Sequence, residues 1–445
     1  MERMRAIAAM GCGLLVWAFS AVAATAQDAA PTLLAHQAAL EIDPAASAWI
    51  LTSTALVLFM TVPGLALFYA GMVRRKNILA TLGQAVAAAL VVTVLWFVVG
   101  YSLAFGTNSD PTLNQFIGSF DSVFLKGVGA ETAWASAPGL PETLWVAYQL
   151  TFAIITPALI AGALAERIKF SGFILFIALW HLLVYAPVCH WVWSGGFLGA
   201  AGVLDFAGGA VVHVNSGVAG LVAALFLGKR VGLGKDNMAP ANLSLAVVGA
   251  GMLWVGWLGF NGGSAWAPDA IAAQAVLSTI LAPAAAGLAW ATAEWIERKK
   301  PTVLGMISGI VAGLVGITPA AGFVDSFGAF VIGILSGLVC WFAVVWVKRW
   351  LKYDDSLDAF GVHGVGGMVG ALLTGIFASV AVNSVSEGAN VLNQALGLVA
   401  VIAWSGIVTF VILLICKYTT GLRPTEEQER EGLDVTQHGE ALHDS

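Results

Sequence analysis

The sequence predicts an all-α polytopic membrane protein with eleven transmembrane helices arranged as an inverted five-helix repeat. Three observations support this fold class. Only 10% of the 445 residues are charged and 59% are hydrophobic, whereas a soluble protein has about 25% charged residues. Apolar runs of bilayer-spanning length recur along the chain, and Lys and Arg gather in alternate connections between them. The runs are expected to be helices because backbone polar groups cannot stay unpaired in lipid.

Residues 1–26 have the features of a secretory signal peptide. Arg3 and Arg5 precede an apolar run, and Ala24-Thr25-Ala26 forms an Ala-x-Ala cleavage site. An uncleaved extra helix is the alternative. Cleavage would leave a transmembrane domain over 27–421 and a tail over 422–445.

Eleven apolar segments divide the mature chain. Their predicted bounds are 46–73, 79–104, 143–165, 170–187, 209–228, 242–264, 273–296, 303–320, 327–347, 358–379 and 391–416. Glycine is frequent, with 51 residues, which suits close helix packing in lipid.

Basic residues set the predicted orientation. Without Arg3 and Arg5, 20 − 2 = 18 basic residues remain, and 17 of them fall on one side of the predicted membrane, with Lys126 on the other. The Lys/Arg-rich side is cytoplasmic by the positive-inside rule. The mature N-terminus is therefore expected outside and the C-terminus inside.

One ionisable residue type recurs inside the apolar segments. The pattern Val-His-x-x-x-Gly-x-x-Gly begins at Val212 and again at Val362, so that His213 and His363 are 363 − 213 = 150 residues apart. The two copies lie in the fifth and tenth segments, which run in opposite directions. An inverted repeat of this kind places its site near the bilayer midplane, and intramembrane ionisable residues are functional candidates. Two structural histidines, each bonded to a backbone carbonyl, are the alternative.

Several function classes find no support in the sequence. No nucleophile–base pair, metal-ligand cluster or phosphate-binding loop is recognisable, so neither an enzyme nor a resident metal or cofactor is expected. The chain also lacks the basic patch that nucleic-acid binding requires. The predicted partners are the lipid bilayer and a transported solute.

Longer motifs run through nearly all of the mature chain. They are Asp205-Phe-Ala-Gly-Gly-Ala-Val-Val-His213, Gly-Trp257-Leu-Gly-Phe260-Asn-Gly-Gly-Ser264, Asp358-Ala-Phe-Gly-Val-His363-Gly-Val-Gly-Gly, Gly162-Ala-Leu-Ala-Glu166-Arg167-Ile, and Glu-Glu-Gln-Glu-Arg-Glu-Gly-Leu-Asp434-Val in the tail. With these motifs the sequence resembles the ammonium transporter family (Amt/Mep/Rh), in its bacterial Amt branch. The resemblance implies an eleven-helix inverted-repeat bundle that assembles as a homotrimer, each subunit with its own pore.

The resemblance also implies a pore centre at His213 and His363, lined by Trp257. Imidazole exchanges protons near neutral pH, and ammonium differs from ammonia by one proton. A bare cation at the bilayer centre is costly. A dry path therefore favours release of that proton before crossing.

Five residues match the external half of the family's pore. Phe152 and Phe260 match a stacked phenylalanine gate. Trp193, Ser264 and Phe152 match a site that recruits ammonium, with Tyr148 beside them. Aromatic faces attract cations, and a serine hydroxyl accepts an N–H. Lipid or interface packing is the alternative for each aromatic ring.

Three residues receive separate expectations. Asp205 precedes the fifth segment and is expected to cap that helix, as a structural residue. Tyr148 stands where family members often have phenylalanine, so a hydroxyl is expected at the mouth. His181 matches no family role, and a packed core histidine is the expected explanation.

The implied function is transport of ammonium or ammonia from periplasm to cytoplasm across the bacterial inner membrane. An ammonium sensor that signals to a cytoplasmic PII-type partner is the alternative. Family sensors usually carry an added signalling domain, and the stretch after Leu422 is too short for one. That tail resembles the tails of transporters blocked by PII proteins. Its acidic composition alone favours a solvated, flexible end.

Overall fold

The computed structural model describes residues 37–38 and 41–442, so the predicted signal peptide at 1–26 lies outside the described residues. Ten of the described helices are long and apolar enough to cross a membrane, and Val303–Ile317 is a shorter apolar helix. These helices occupy the positions of the eleven predicted segments, which confirms an all-α multi-pass fold. The count of eleven spans and the orientation of the termini stay predictions.

The helices are numbered in chain order with the shorter one included. Their bounds are α1 Pro44–Met72, α2 Arg75–Phe105, α3 Glu142–Leu164, α4 Phe170–Ala200, α5 Gly209–Leu227, α6 Leu243–Gly263, α7 Ala270–Arg298, α8 Val303–Ile317, α9 Ser326–Leu351, α10 Phe360–Phe377 and α11 Val391–Thr419. A short helix in the tail, α12, covers Glu426–Glu431. Two short strands, β1 Gln37–Ala38 and β2 Thr132–Ala133, pair antiparallel.

Polar side chains begin many of these helices. The first turn of a helix has backbone N–H groups without intrahelical acceptors, and a side-chain oxygen just before it accepts from them. Oxygens of this kind cap α1, α6, α7, α8, α9 and α11, and they belong to Asp43, Asn242, Asp269, Thr302, Asp325 and Asn390.

Two helices differ from their predicted bounds. α4 extends beyond the predicted end at 187 and is interrupted after Trp193, before a last turn at Phe197–Ala200. α8 stops at Ile317, before the predicted end at 320, because the apolar residues that follow form a turn closed by the bond from Ala320 N–H to the Ile317 carbonyl.

Glycines allow α1 and α6 to pack with their backbones in contact. A Cβ atom added at Gly249 would lie 2.3 Å from the backbone nitrogen of Phe68, and one at Gly256 would lie 2.3 Å from Cβ of Met60. Small residues permit this close approach in membrane bundles, where dispersion contacts must replace the hydrophobic effect.

Glycines also allow α5 and α10 to pack with their backbones in contact. A Cβ at Gly217 would lie 2.2 Å from the backbone nitrogen of Gly364, and one at Gly367 would lie 2.7 Å from the Gly209 carbonyl oxygen. Gly217 and Gly367 are the first glycines of the two copies of the histidine pattern. The repeat therefore brings two helices from distant parts of the chain together beside their histidines.

Candidate functional site

His213 and His363 meet at the crossing of α5 and α10. Their Nδ1 atoms are 3.3 Å apart, and the two rings lie nearly parallel, with centroids 5.3 Å apart. Both side chains are buried. Two neutral imidazoles can share only one proton between these nitrogens, so one ring donates and the other accepts. In the structural alternative each histidine would bond to a backbone carbonyl. Here the Nδ1 atom of each ring lies next to the Nδ1 atom of the other ring instead.

Trp257 fixes one face of this pair. Its ring stacks on His213 with centroids 5.2 Å apart and an interplanar angle of 19°. The indole Nε1 donates to Thr318 Oγ1 at 2.8 Å, which holds the ring in place. Trp257 therefore contributes an apolar wall to the histidine pair. Its N–H donates to Thr318 and not to an imidazole nitrogen.

A stack of two phenylalanines continues the column of rings next to His213 and Trp257. Phe152 and Phe260 lie face to face, with centroids 4.1 Å apart and an interplanar angle of 21°, and Phe260 is 6.1 Å from the His213 ring. Both phenylalanines are buried. An apolar constriction of this kind holds back water and hydrated ions.

Trp193 and Ser264 complete the column beyond the phenylalanines. The Trp193 ring stands at 89° to Phe152, with centroids 5.8 Å apart, and its Nε1 donates to the Asp205 carbonyl at 2.8 Å. Ser264 Oγ donates to the Phe260 carbonyl at 2.9 Å. Because that bond uses the hydroxyl proton, the remaining lone pairs of Ser264 can accept from a visiting N–H.

Tyr148 lies beside Ser264, with its hydroxyl 3.4 Å from Ser264 Oγ. Its side chain is fully buried, and its hydroxyl lies 2.9 Å from the carbonyl oxygens of both Gly259 and Phe260. The hydroxyl therefore ties α3 to the end of α6. What Tyr148 offers the column is its ring, 5.0 Å from that of Phe152.

Asp205 caps the start of α5, as its position in the sequence predicts. Its two carboxylate oxygens accept from four consecutive backbone N–H groups at 2.5–3.0 Å. Gly208, with φ of 111°, makes the turn into the helix in a conformation that a side chain would disfavour. His213 is thereby held on the second turn of a fully capped helix.

A second capping aspartate was missed by the sequence reasoning. Asp355 accepts from the backbone N–H groups of Ala359 and Phe360 at 3.0 and 2.8 Å, at the start of α10. It precedes His363 by 363 − 355 = 8 residues, as Asp205 precedes His213 by 213 − 205 = 8. That equal offset is the signal that could have found it.

A cavity of about 180 Å³ reaches the histidine pair, and neither Phe152 nor Phe260 is among the residues that line it. Its lining includes His363, Val362, Tyr69, Met72 and Ser356. Several of these residues border the connections predicted to be cytoplasmic. The column of rings and this cavity both reach the histidine pair, and the walls on the column side are apolar rings.

The other buried histidines of α4 lie outside the column. His190 has Nδ1 3.0 Å from the Ala104 carbonyl and Nε2 2.7 Å from the Asn114 carbonyl, as a structural histidine does. His181 stacks on Tyr185 and contacts Trp96. Its packed position agrees with the expectation of a core residue.

A buried arginine closes the end of α3. Arg167 donates to the Ala163 carbonyl at 2.9 Å and also to the carbonyl of Asp354 and the hydroxyl of Ser356. Burial lowers the pKa of Arg167 to about 10, which leaves the guanidinium charged at neutral pH. Such a charge is tolerated only because partners surround it.

The charge network extends from Asp354 to the neighbouring connections. Arg230 donates to both carboxylate oxygens of Asp354, at 2.9 and 3.0 Å, and lies 3.3 Å from Glu166, which also pairs with Arg74 at 2.9 Å. Burial alone would raise the pKa of Asp354, but the hydrogen bonds and charge of Arg230 hold it below the usual value. The network fixes the connections next to the 180 Å³ cavity, which Ser356 lines.

The tail is packed against this same face over the described part of 422–442. Leu433 N–H donates to Asn77 Oδ1 at 2.9 Å, and Asp434 Oδ1 accepts from Ala80 N–H at 2.8 Å. Glu429 is buried and pairs with Arg423. The flexible end that composition favours is therefore wrong for these residues, because specific side chains anchor an otherwise acidic segment.

Comparison with known proteins gives a consistent result. The sequence profile described as the Ammonium Transporter Family matches residues 48–442. An ammonium transporter of Aquifex aeolicus is 49% identical over 413 residues, which cover 91% of this chain and 95% of the relative. An ammonium transporter of Bacillus subtilis is 47% identical over 395 residues, which cover 87% of this chain and 95% of the relative.

Solved structures are similar to the whole helical bundle. Mep2 of Saccharomyces cerevisiae superposes with a TM-score of 0.80 at 38% identity, covering 87% of this chain and 89% of that chain. A structure described as a sensor Amt protein superposes with a TM-score of 0.81 at 29% identity, covering 88% of this chain and 98% of that chain.

Proposed function

The chain belongs to the ammonium transporter family and is a multi-pass membrane transporter of ammonium, not an enzyme; from this premise we propose that ammonium enters through the column of rings and is deprotonated before it passes His213 and His363. The observation that carries the proposal is the buried imidazole pair, with its Nδ1 atoms 3.3 Å apart. The proposed direction is from periplasm to cytoplasm, across the bacterial inner membrane.

Recruitment begins at Trp193, Phe152 and Ser264. A cation over an aromatic face gains about 0.5–2 kcal/mol, depending on desolvation. The Ser264 hydroxyl donates its proton to the Phe260 carbonyl, so its oxygen is left to accept a hydrogen bond from ammonium. These groups concentrate ammonium but attract potassium by the same electrostatics, so selectivity must arise deeper in the path.

Discrimination follows from the proton. Ammonium can leave its proton on a base and continue as neutral ammonia, whereas potassium keeps its charge. Behind the Phe152–Phe260 stack a charged species meets apolar walls, and its cost there is several kcal/mol (about 3 or more by insertion scales). The imidazole pair supplies nitrogen bases at this depth, and one ring can take a proton as its neighbour gives one up.

The transport proposal is tested with purified protein in liposomes. An ammonium concentration jump is expected to give a current that is absent in protein-free liposomes, and an equal potassium jump is expected to give none. A sensor would bind ammonium at Trp193, Phe152 and Ser264 without a sustained current. Equal currents for the two cations would contradict selection by deprotonation.

Assembly as a homotrimer is proposed from membership of the family. Exposed apolar side chains such as Leu51, Leu90 and Leu288 give the outer surface of the bundle the character that either lipid or a neighbouring subunit requires. The mass of the detergent-purified complex, measured by native mass spectrometry, tests the trimer directly.

Replacing Phe260 by alanine is expected to disturb the ammonium current. The ring is one half of the stack with Phe152, and its loss lets water into the apolar constriction. Phe410→Ala is the matched control, because Phe410 lies on α11 and the residue is 39% exposed. If both variants, normalised to folded protein, conduct as the unmodified protein does, Phe260 belongs with the packing residues.

Truncation after Arg423 is expected to leave a folded, conducting protein and to alter inhibition by a PII protein. The deleted residues accept hydrogen bonds from backbone N–H groups at the starts of α2 and α4. Water can replace these hydrogen bonds once the residues are gone. Asp434→Ala, which removes one anchor at full chain length, is expected to act in the same direction. Liposome currents with and without a purified bacterial PII protein measure the effect, and unchanged inhibition in both variants would reject a regulatory tail.

A further inference from the structure

A second cavity lies away from the ring column, between the last turn of α7 and the last two turns of α9. We refer to it as the α7–α9 cavity, and its volume is about 350 Å³. Its lining includes Glu297, Arg298, Val344, Lys348, Arg349 and Tyr353. Three of these side chains are cations and one is an anion, so the cavity carries net positive charge.

The three cations differ in how far the protein already neutralises them. Lys348 Nζ lies 2.6 Å from Asp358 Oδ1 and is therefore engaged. Arg298 makes only a loose pair, 3.9 Å from Glu294, and its side chain is 60% exposed. Arg349 forms no ion pair with any residue in 41–442. Two guanidinium groups thus keep their capacity to bind an anion.

Aromatic residues mark the depth of the cavity in the membrane. Phe342, Trp346 and Trp350 follow one another at every fourth position of α9, and Trp350 contacts both of the others, with ring centroids 5.5 and 6.2 Å away. The guanidinium of Arg349 lies over the Trp346 ring, 5.3 Å from its centroid. Tryptophans in membrane proteins concentrate at the level of the lipid headgroups. The cavity shares these helical turns and therefore lies at that level.

The surroundings indicate which anion fits. A guanidinium matches phosphate oxygens with two parallel hydrogen bonds, and basic pockets between transmembrane helices bind lipid headgroups. Exposed apolar side chains lie beside the cavity at Trp295, Ile296 and Leu351, where acyl chains could pack. Glu297 disfavours a free phosphate dianion more than a singly charged phosphodiester.

We propose that the α7–α9 cavity binds the phosphate group of an anionic glycerophospholipid, with Arg298 and Arg349 as the charged ligands. The predicted orientation of the chain places this lipid in the cytoplasmic leaflet. The site is separate from the ring column, so binding there does not require transport.

Native mass spectrometry of the detergent-purified full chain tests this site. Phosphatidylglycerol, phosphatidylcholine and inorganic phosphate are each titrated against three proteins: the unmodified chain, Arg298→Gln/Arg349→Gln, and Lys229→Gln/Lys235→Gln. The last variant is the matched control, because it removes two positive charges from the connection after α5. Gel filtration and the ammonium current establish that each variant is folded.

The arginine variant is expected to bind phosphatidylglycerol about thirtyfold more weakly than the unmodified chain, since each of the two basic residues contributes on the order of 1 kcal/mol near a lipid phosphate and about 1.4 kcal/mol is tenfold in affinity. The lysine variant and phosphatidylcholine binding are expected to change little. Three results would overturn the proposal: full phosphatidylglycerol binding by the arginine variant, an equal loss in the lysine variant, or inorganic phosphate binding that matches the lipid.

Discussion

Replacing His213 and His363 together by alanine is expected to abolish the preference for ammonium over potassium, or to abolish the ammonium current. The substitution removes the nitrogen bases from the pore centre and leaves two side-chain volumes empty at the α5–α10 crossing. Water can fill that space, and a hydrated potassium ion can follow it. The measurement is the ratio of ammonium to potassium currents in liposomes, normalised to folded protein.

A matched control separates proton handling from packing. His181→Ala also removes a buried histidine within the membrane, but His181 lies in α4 beside Trp96 and Tyr185, away from the column. It is expected to lower stability while leaving the current ratio unchanged. Unaltered ammonium current and potassium exclusion in the double variant would reject the proton-handling role of the pair.

Adding one methyl group at Gly217 is expected to disrupt the pore. The new Cβ would lie 2.2 Å from the Gly364 backbone nitrogen, and backbone cannot move aside as the end of a side chain can. Overpacking of this kind costs about 1–3 kcal/mol and occasionally more. Gly217→Ala is therefore expected to melt at a lower temperature and to conduct poorly, because α10 carries His363 away from His213.

The control for this prediction is a glycine with free space around it. Gly251 in α6 has no atom within 4 Å of an added Cβ, and alanine in a helix interior is favoured over glycine by about 0.5–1 kcal/mol. Gly251→Ala is expected to be neutral or slightly stabilising in a thermal melt of the detergent-purified protein. Equal melting temperatures for the two variants would show that α5 and α10 are not held in backbone contact.

The apolar runs predicted the helices well because hydropathy is the dominant constraint on a chain in lipid. The same signal failed at the end of α8, where Pro319 and Ala320 are apolar but form a turn. Hydropathy carries no information on where hydrogen bonds close. Helix ends therefore needed the structure.

The site residues illustrate a second limit. The histidine pattern indicated a meeting of His213 and His363, because a repeated motif implies equivalent positions in two halves. Asp355 went unnoticed because its helix-capping role depends on backbone geometry, and only its offset from His363 hints at it. The resemblance placed Tyr148 beside Ser264, but nothing in the sequence indicated that its hydroxyl bonds to the backbone carbonyls of Gly259 and Phe260 at the end of α6.

Composition misled in the tail for a related reason. Most of its residues are polar and solvated, and they dominate any average over the segment. The packing rests on a few contacts, chiefly Leu433 to Asn77 and Asp434 to Ala80. Contacts between residues more than 350 positions apart leave no trace in local composition.

The position of Arg167 has a consequence for how the protein is made. Its partner Asp354 follows it by 354 − 167 = 187 residues, which a ribosome adds in roughly 10–40 seconds at bacterial or eukaryotic speeds. During that interval the carboxylate of Asp354 does not yet exist to neutralise the guanidinium. The end of α3 therefore stays in contact with water or lipid headgroups. Only a nascent chain that has delivered the connection between α9 and α10 can seal this face. Chains released early therefore keep this cation without the carboxylate and carbonyl partners that make its burial tolerable.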